Sequence, residues 1–149
     1  MKSFSQFLEQ KAKTEEEKNI QATLKKIPDS HGKLIKDFHV NFEGGNTLHG
    51  DDQHVGYVDE EDKEICLASP WNYGREFTFL HEIAHKVYER LVSNDLKKKW
   101  AGIVKKTKNK QEQSPEELFC MAYANHFIKN KIVIHDHPEW HKFIEELPK

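Results

Sequence analysis

The sequence predicts an α+β fold in which a small antiparallel sheet packs on one central helix and on further helices. Three observations lead to this expectation. Residues 33–42 and 55–68 contain short β-rich runs separated by turn residues. Residues 75–88 carry apolar side chains with helical spacing. Helix signals then continue to the end of the 149-residue chain, a length that suits one compact domain.

Composition limits the partners that the chain is expected to have. Charged residues make up 32% of the sequence and the net charge is -2, which gives no reason to expect nucleic acid or an anionic membrane. No apolar run approaches the roughly 18 residues that span a bilayer, and no signal-peptide pattern is present. Cys66 and Cys120 do not make a disulfide framework. We therefore expect a cytoplasmic protein, and its oligomeric state stays open.

Residues 1–27 predict an N-terminal charged helical segment, ahead of a main domain at residues 28–149. Apolar residues with helical spacing occur near both ends of the segment, and residues 11–18 are almost wholly polar. These apolar residues are Phe4, Phe7, Leu8, Ile20, Leu24 and Ile27. The turn-rich residues 28–32 end the segment.

The predicted sheet comes next along the chain. Along residues 33–42, apolar side chains alternate with other side chains well enough for a strand. Residues 43–52 contain three glycines and indicate a loop. Residues 55–58 and 64–68 predict a hairpin around an acidic turn. We expect residues 64–68 to form an edge strand that can pair with an extended peptide.

The central helix carries His-Glu-Ile-Ala-His at residues 81–85, an H-E-x-x-H motif. His81 and His85 lie four residues apart on one helical face, so both imidazoles can reach one metal ion. Glu82 lies about 100° further round the helix, where it can take a proton from a metal-activated water. Apolar neighbours place both histidines in a buried stripe, where an unpaired imidazole is costly. The alternative is two satisfied core histidines.

Three further helices are predicted after the motif. The first covers about residues 95–108 and has a lysine-rich outer face. The second begins with Ser114 as N-cap, proline at the first position and glutamate at the third, and runs to about residue 129. The last covers residues 138–147. His137 and His141 leave a second metal site open, beside the alternative of surface histidines.

A catalytic zinc site takes three protein ligands and keeps a fourth position for water. In the glutamate type of zinc peptidase, the third ligand is a glutamate on a helix downstream of the motif. Glu116 and Glu117 begin such a helix here, and both are candidates. The alternative for Glu117 is a capping box with Ser114.

The motif region resembles a known family. Residues 75–85, REFTFLHEIAH, follow a G-Y-V…E-I-C-L-A hairpin and resemble the core of the ImmA/IrrE family of small zinc metallopeptidases. Residues 117–123 are similar to the E-x-F-A-E-x-F helix of lethal-factor-like peptidases. The resemblance covers about residues 54–128. It implies a minimal zincin-like fold, a bound Zn²⁺, a protein or peptide substrate, and Glu117 as third ligand.

Peptidases of this kind also need a donor that stabilises the oxyanion of the tetrahedral intermediate. Tyr123 and His126 lie on the proposed ligand helix and are candidates, with a core or rim position as the alternative. We therefore expect a zinc-dependent metallopeptidase in which Glu82 is the general base. The alternative function is a metal-bound regulatory or binding module on a peptidase scaffold, with a narrow proteolytic target or none.

Overall fold

The computed structural model describes residues 15–43, 56–61, 63–68, 73–106 and 113–149. Its helices are α1 (Glu15–Leu24), α2 (Asp29–Gly32), α3 (Tyr73–Arg90), α4 (Asn94–Lys105), α5 (Pro115–Ile128), α6 (Lys131–Asp136) and α7 (Pro138–Glu145). One 3₁₀ turn, Lys33–Ile35, follows α2. The strands are β1 (His39–Glu43), β2 (Gly56–Asp59) and β3 (Glu64–Ala68). The predicted apolar positions at residues 4–8 and all but the first residue of the loop predicted at residues 43–52 lie outside the described residues.

The predicted α+β fold with an antiparallel sheet is wrong, because the described part of the chain is mostly helical. Its short strands form a mixed sheet in the order β1-β3-β2. β1 pairs parallel with β3 from His39 opposite Glu64, whereas β2 pairs antiparallel with β3. Parallel pairing joins strands that are distant in sequence, so no local sequence pattern predicts it. The 3₁₀ turn also replaces the start of the first predicted strand.

The strand expected at the edge of the sheet lies in its centre. β3 is hydrogen-bonded to β1 on one side and to β2 on the other. A strand that is paired on both sides has no free backbone row to offer to another chain. The expectation that β3 binds an extended peptide is therefore wrong.

The core lies between α5 and the motif helix, which pack closely against each other. A helix that is apolar on all sides is typically buried, and α5 is of this kind. Its buried residues are Leu118, Phe119, Cys120, Ala122, Tyr123, Ala124 and Asn125. α3, α4 and α7 all pack against it. The motif helix thus forms one wall of the core.

The motif helix α3 has two different faces. Its fully buried residues are Phe79, Leu80, Ile83, Ala84 and Val87. His81 and His85 are half-buried at the border of this face, so the buried stripe is rotated away from them. Lys86 is buried as well, forms an ion pair with Glu60 and lies 5.4 Å from the Phe38 ring centroid. Since Glu60 follows β2, this pair ties the sheet to the helix.

The second half of the N-terminal segment belongs to the same core. Ile20, Leu24 and Ile27 are buried, and Lys26 Nζ lies 2.5 Å from Glu76 Oε1 at the start of α3. These contacts extend the folded unit in front of residue 28. Across the described ranges, every helix is too short or too polar to cross a lipid bilayer.

Trp100 on α4 fixes the start of α5. Its Nε1–H donates to the Pro115 carbonyl at 2.7 Å, and its ring packs at 5.0 Å from Phe143 of α7. The Ser114 hydroxyl accepts from the Glu117 N–H at 3.2 Å, which confirms the predicted N-cap. These bonds hold the first turn of α5, and with it two glutamates, against α3.

Candidate metal centre

The two motif histidines lie one turn apart on α3 and face the first turn of α5. Their ring centroids are 5.1 Å apart and the rings are nearly perpendicular, at 72°. The Phe77 ring covers His81 at 5.9 Å. The structure therefore brings both histidines to the same wall of the α3–α5 interface, as the motif spacing predicts.

Glu117 lies between the two imidazoles. His81 Nε2 is 3.1 Å from Glu117 Oε2, and His85 Nε2 is 3.3 Å from Glu117 Oε1. The same nitrogen atom of each ring thus faces the carboxylate. The carboxylate of Glu117 is directed at the histidines, which is the position expected of a third ligand.

These distances suit one tetrahedral ion. Zinc binds imidazole nitrogen and carboxylate oxygen at about 2.0–2.2 Å, so two ligand atoms of a tetrahedral site are about 3.3–3.4 Å apart. The two nitrogen–oxygen distances of 3.1 Å and 3.3 Å lie within a few tenths of an ångström of that edge. Each distance is to a different oxygen of the Glu117 carboxylate. Two imidazoles and one carboxylate are a donor set that suits a divalent zinc ion.

Glu116 takes a different position from Glu117. Its Oε2 atom lies 3.2 Å from His85 Nδ1, on the far side of the imidazole from Glu117. A carboxylate that accepts from Nδ1–H fixes the ring orientation and leaves the Nε2 lone pair for a metal. Glu116, an alternative third ligand on sequence grounds, is thus placed to orient His85. Sequence reasoning did not predict this role.

His81 is suited to bind a metal as a neutral ring. Burial lowers the pKa of His81, against the opposing effect of the Glu117 carboxylate and with the added effect of His85. Metal ions bind the neutral form of imidazole. The Nδ1 atom of His81 is buried and has no hydrogen-bond partner among the described residues.

Glu82 lies between the two histidines in the sequence of α3 and is half-buried. Its charge contributes, after those of Glu117 and Glu116, to the raised pKa of the Cys120 thiol. In an H-E-x-x-H motif, the residue at this position is the one that can exchange a proton with a metal-bound water.

Cys120 is an additional candidate ligand that sequence reasoning did not select. Its sulfur and one nitrogen atom from each of His81 and His85 lie within 4.8 Å of one another. The thiol is free and fully buried, and burial is the largest cause of its raised pKa. The sequence signal that could have identified Cys120 was its position three residues after Glu117, on the same face of α5. Glu117 is the better third donor, because its oxygens lie only 3.1 Å and 3.3 Å from the two Nε2 atoms.

Tyr123 is placed away from the site that it was expected to serve. Its side chain is completely buried, and its hydroxyl lies 2.9 Å from His31 Nδ1. Burial raises the pKa of Tyr123. The hydroxyl is thus engaged within the core, next to α2, and we do not carry the oxyanion role forward for this residue.

His126 is likewise turned towards another part of the molecule. Its Nδ1 atom lies 2.7 Å from His141 Nδ1 on α7. Burial and the neighbouring His141 lower the pKa of His126 to about 4. The structure therefore joins His126 to the C-terminal helix rather than to His81 and His85.

Comparison with known proteins found no match for the chain. No protein-family model, curated protein or solved structure matches it. The interpretation of the site accordingly depends on the motif, on the distances between its side chains and on their electrostatics.

Proposed function

We propose that the protein is a zinc-dependent metallopeptidase whose metal ligands are His81, His85 and Glu117. One observation supports this most strongly: both Nε2 atoms of an H-E-x-x-H motif meet a single carboxylate at 3.1 Å and 3.3 Å. The motif supplies a further carboxylate at Glu82 in the position of a general base.

Zinc, when bound to these residues, supplies Lewis acidity that polarises the scissile carbonyl and makes a neighbouring water more acidic. Glu82 accepts the proton of the attacking water and later delivers it to the leaving amine. Glu116 keeps the His85 ring oriented through Nδ1. The substrate is a protein or peptide, in keeping with the resemblance of residues 75–85 to ImmA/IrrE peptidases. The free thiol of Cys120 suits a reducing cytoplasm.

The substitution Glu82→Gln tests this function, because it removes the base and keeps the shape. We expect the variant to retain zinc and to lose hydrolysis of a proteome-derived peptide library, read by mass spectrometry. The general base typically contributes about 10²–10⁴-fold to the rate. Glu89→Gln, on the exposed side of the same helix, is the matched control and should cleave like the wild type. An unchanged rate in Glu82→Gln would contradict the proposal.

A second function is favoured by Cys120. If its sulfur takes the fourth position at His81, His85 and Glu117, the site is closed, and closed zinc sites are structural rather than catalytic. The protein would then be a metal-bound binding or regulatory module. Replacing zinc with Co²⁺ separates the two functions, because only a thiolate ligand adds sulfur-to-cobalt charge-transfer absorption. Such absorption in the wild type, absent from Cys120→Ser, would favour the closed site.

A further inference from the structure

A second group of imidazoles lies at the opposite end of α5, where α7 covers it. His126 of α5 and His141 of α7 approach each other with their Nδ1 atoms 2.7 Å apart and their ring centroids 4.4 Å apart. Two nitrogen lone pairs cannot face each other at this distance without a proton or a cation between them. The pair therefore holds either a proton between the two nitrogens or a cation.

Glu145 lies beside the second nitrogen of His141. Its Oε2 atom lies 3.6 Å from His141 Nε2, on the side of the ring away from His126. This carboxylate favours a proton on Nε2 of His141 and a lone pair on Nδ1. The arrangement repeats the one at the first site, where Glu116 stands behind His85.

The surroundings leave room for an ion. A small, partly open cavity of about 10 Å³ lies between α5, α6 and α7, and His126, His137 and His141 all line it. This volume suits one water molecule or one ion. The indole Nε1–H of Trp140, which also lines the cavity, is buried and has no acceptor among the described residues. A buried N–H of this kind requires an acceptor, and a bound water molecule can supply one.

We propose that His126 and His141 bind a divalent transition-metal ion through their Nδ1 atoms and thereby fasten α7 to α5. Imidazole ligands suit Zn²⁺, Ni²⁺ and Cu²⁺ rather than Mg²⁺ or Ca²⁺. Before the metal binds, the proton between the two rings lies on Nδ1 of His126. Metal binding moves this proton to Nε2 of the same ring. His126 also lines a second, open cleft of about 750 Å³ that can admit water.

The geometry needs one small movement. Two nitrogens bound to one tetrahedral zinc ion are about 3.3–3.4 Å apart, so the present 2.7 Å must open by about 0.6 Å. Both rings are only half-buried, and a rotation of one side chain provides this opening. Two protein ligands with water make a weaker site than the three donors at Glu117, and we expect zinc to fill it second.

Zinc titration of four variants tests the proposal, with Zn²⁺ itself as the probe and circular dichroism to verify folding. His81→Ala/His85→Ala removes the first site, and His141→Gln removes the second. The combination of all three removes both. His135→Gln is the matched control, because the His135 side chain is 89% exposed on α6. We expect about two zinc equivalents in the wild type and the control, about one in each site variant, and none in the combination.

Thermal unfolding supplies an independent reading. Zinc should raise the Tm of His81→Ala/His85→Ala, and His141→Gln in that background should abolish the rise, because an ion that binds only the folded chain stabilises it. If His81→Ala/His85→Ala abolished all zinc binding, this inference would be overturned and the peptidase proposal would stand. Binding that survives in that variant but not in His141→Gln would support this inference and contradict the peptidase site. Binding that survives the combined substitution would overturn both assignments.

Discussion

His31 and His81 show two ways in which this protein places an imidazole near α5. His31 is almost completely buried, and both of its nitrogens have neutral partners: the Tyr123 hydroxyl donates to Nδ1 at 2.9 Å, and Nε2–H donates to the Pro148 carbonyl at 2.8 Å. His81 is half-buried, directs Nε2 at a carboxylate and leaves Nδ1 without a partner among the described residues. The first is a complete structural contact, whereas the second directs one nitrogen at a carboxylate, which is the arrangement that the proposed zinc site uses.

The difference teaches how a ligand histidine is distinguished from a core histidine in a metal-free chain. A core histidine satisfies both nitrogens with groups that need no further charge. At the proposed site, two imidazoles and two carboxylates cluster, and both Nε2 atoms face one carboxylate. The convergence of these atoms, rather than burial, marks the site.

The largest effect is expected from Glu117→Ala. Loss of the third ligand leaves two histidines at this site. We therefore expect zinc affinity to fall so far that the purified variant no longer contains near-stoichiometric zinc. Elemental mass spectrometry of proteins purified without added metal, in a His141→Gln background, measures this directly. Exposed Glu146→Ala is the matched control and should keep its zinc. Full zinc retention in Glu117→Ala would remove Glu117 from the ligand set.

Glu116→Ala sharpens the same comparison, with a smaller effect. The carboxylate orients His85 without touching the metal position, and such partners typically contribute about 10–100-fold to metal affinity. A competition titration with a zinc chelator, in the His141→Gln background, should show a loss in that range. Glu116→Gln, which retains an acceptor oxygen, should recover part of it. A loss as complete as in Glu117→Ala would mean that Glu116 is itself a ligand.

Tyr123→Phe tests the core side of the comparison. It leaves Nδ1 of buried His31 without its donor, and an unsatisfied buried group costs about 1–3 kcal/mol. We therefore expect a lower free energy of unfolding in urea and unchanged zinc binding and hydrolysis. If hydrolysis were lost at normal stability, Tyr123 would regain the catalytic role that the sequence suggested.

The smallest effect concerns pH. Burial, with a further contribution from Lys149, lowers the pKa of His31 below 6.5, although the Pro148 carbonyl opposes this shift. The unfolded chain then binds a proton more readily than the folded chain, so the free energy of unfolding falls as the pH drops below about 6.5. We expect urea unfolding of zinc-free protein to show this loss, and His31→Gln to reduce it. An equal pH dependence in His31→Gln and wild type would contradict the account.

Part of this structure could be predicted from local sequence. The start of α5 was predicted from three local signals, Ser114, Pro115 and Glu117. The spacing of His81 and His85 predicted a helix that carries both residues. The structure contains both helices. The mixed sheet was not predictable, because the partner of β1 lies beyond an intervening strand. Lys86 resembles a surface residue in sequence, yet a long-range ion pair with Glu60 makes its burial possible.

The choice among acidic residues also required the tertiary structure. Glu116 and Glu117 are adjacent in sequence, and only the packing of α5 on α3 shows that one faces both Nε2 atoms and the other faces Nδ1 of His85. Tyr123 and His126 were selected because they share a helix with Glu117. A helix turns by about 100° per residue, so side chains on one helix can serve different faces of the protein.

The most direct test of the central assignment is zinc K-edge X-ray absorption on the zinc-loaded protein in a His141→Gln background. The account predicts a first shell of nitrogen and oxygen only, at about 2.0–2.2 Å, with the outer-shell scattering of two imidazoles. A sulfur scatterer at about 2.3 Å would place Cys120 in the site and contradict an open catalytic centre. A spectrum without imidazole scattering would show that His81 and His85 do not bind the ion.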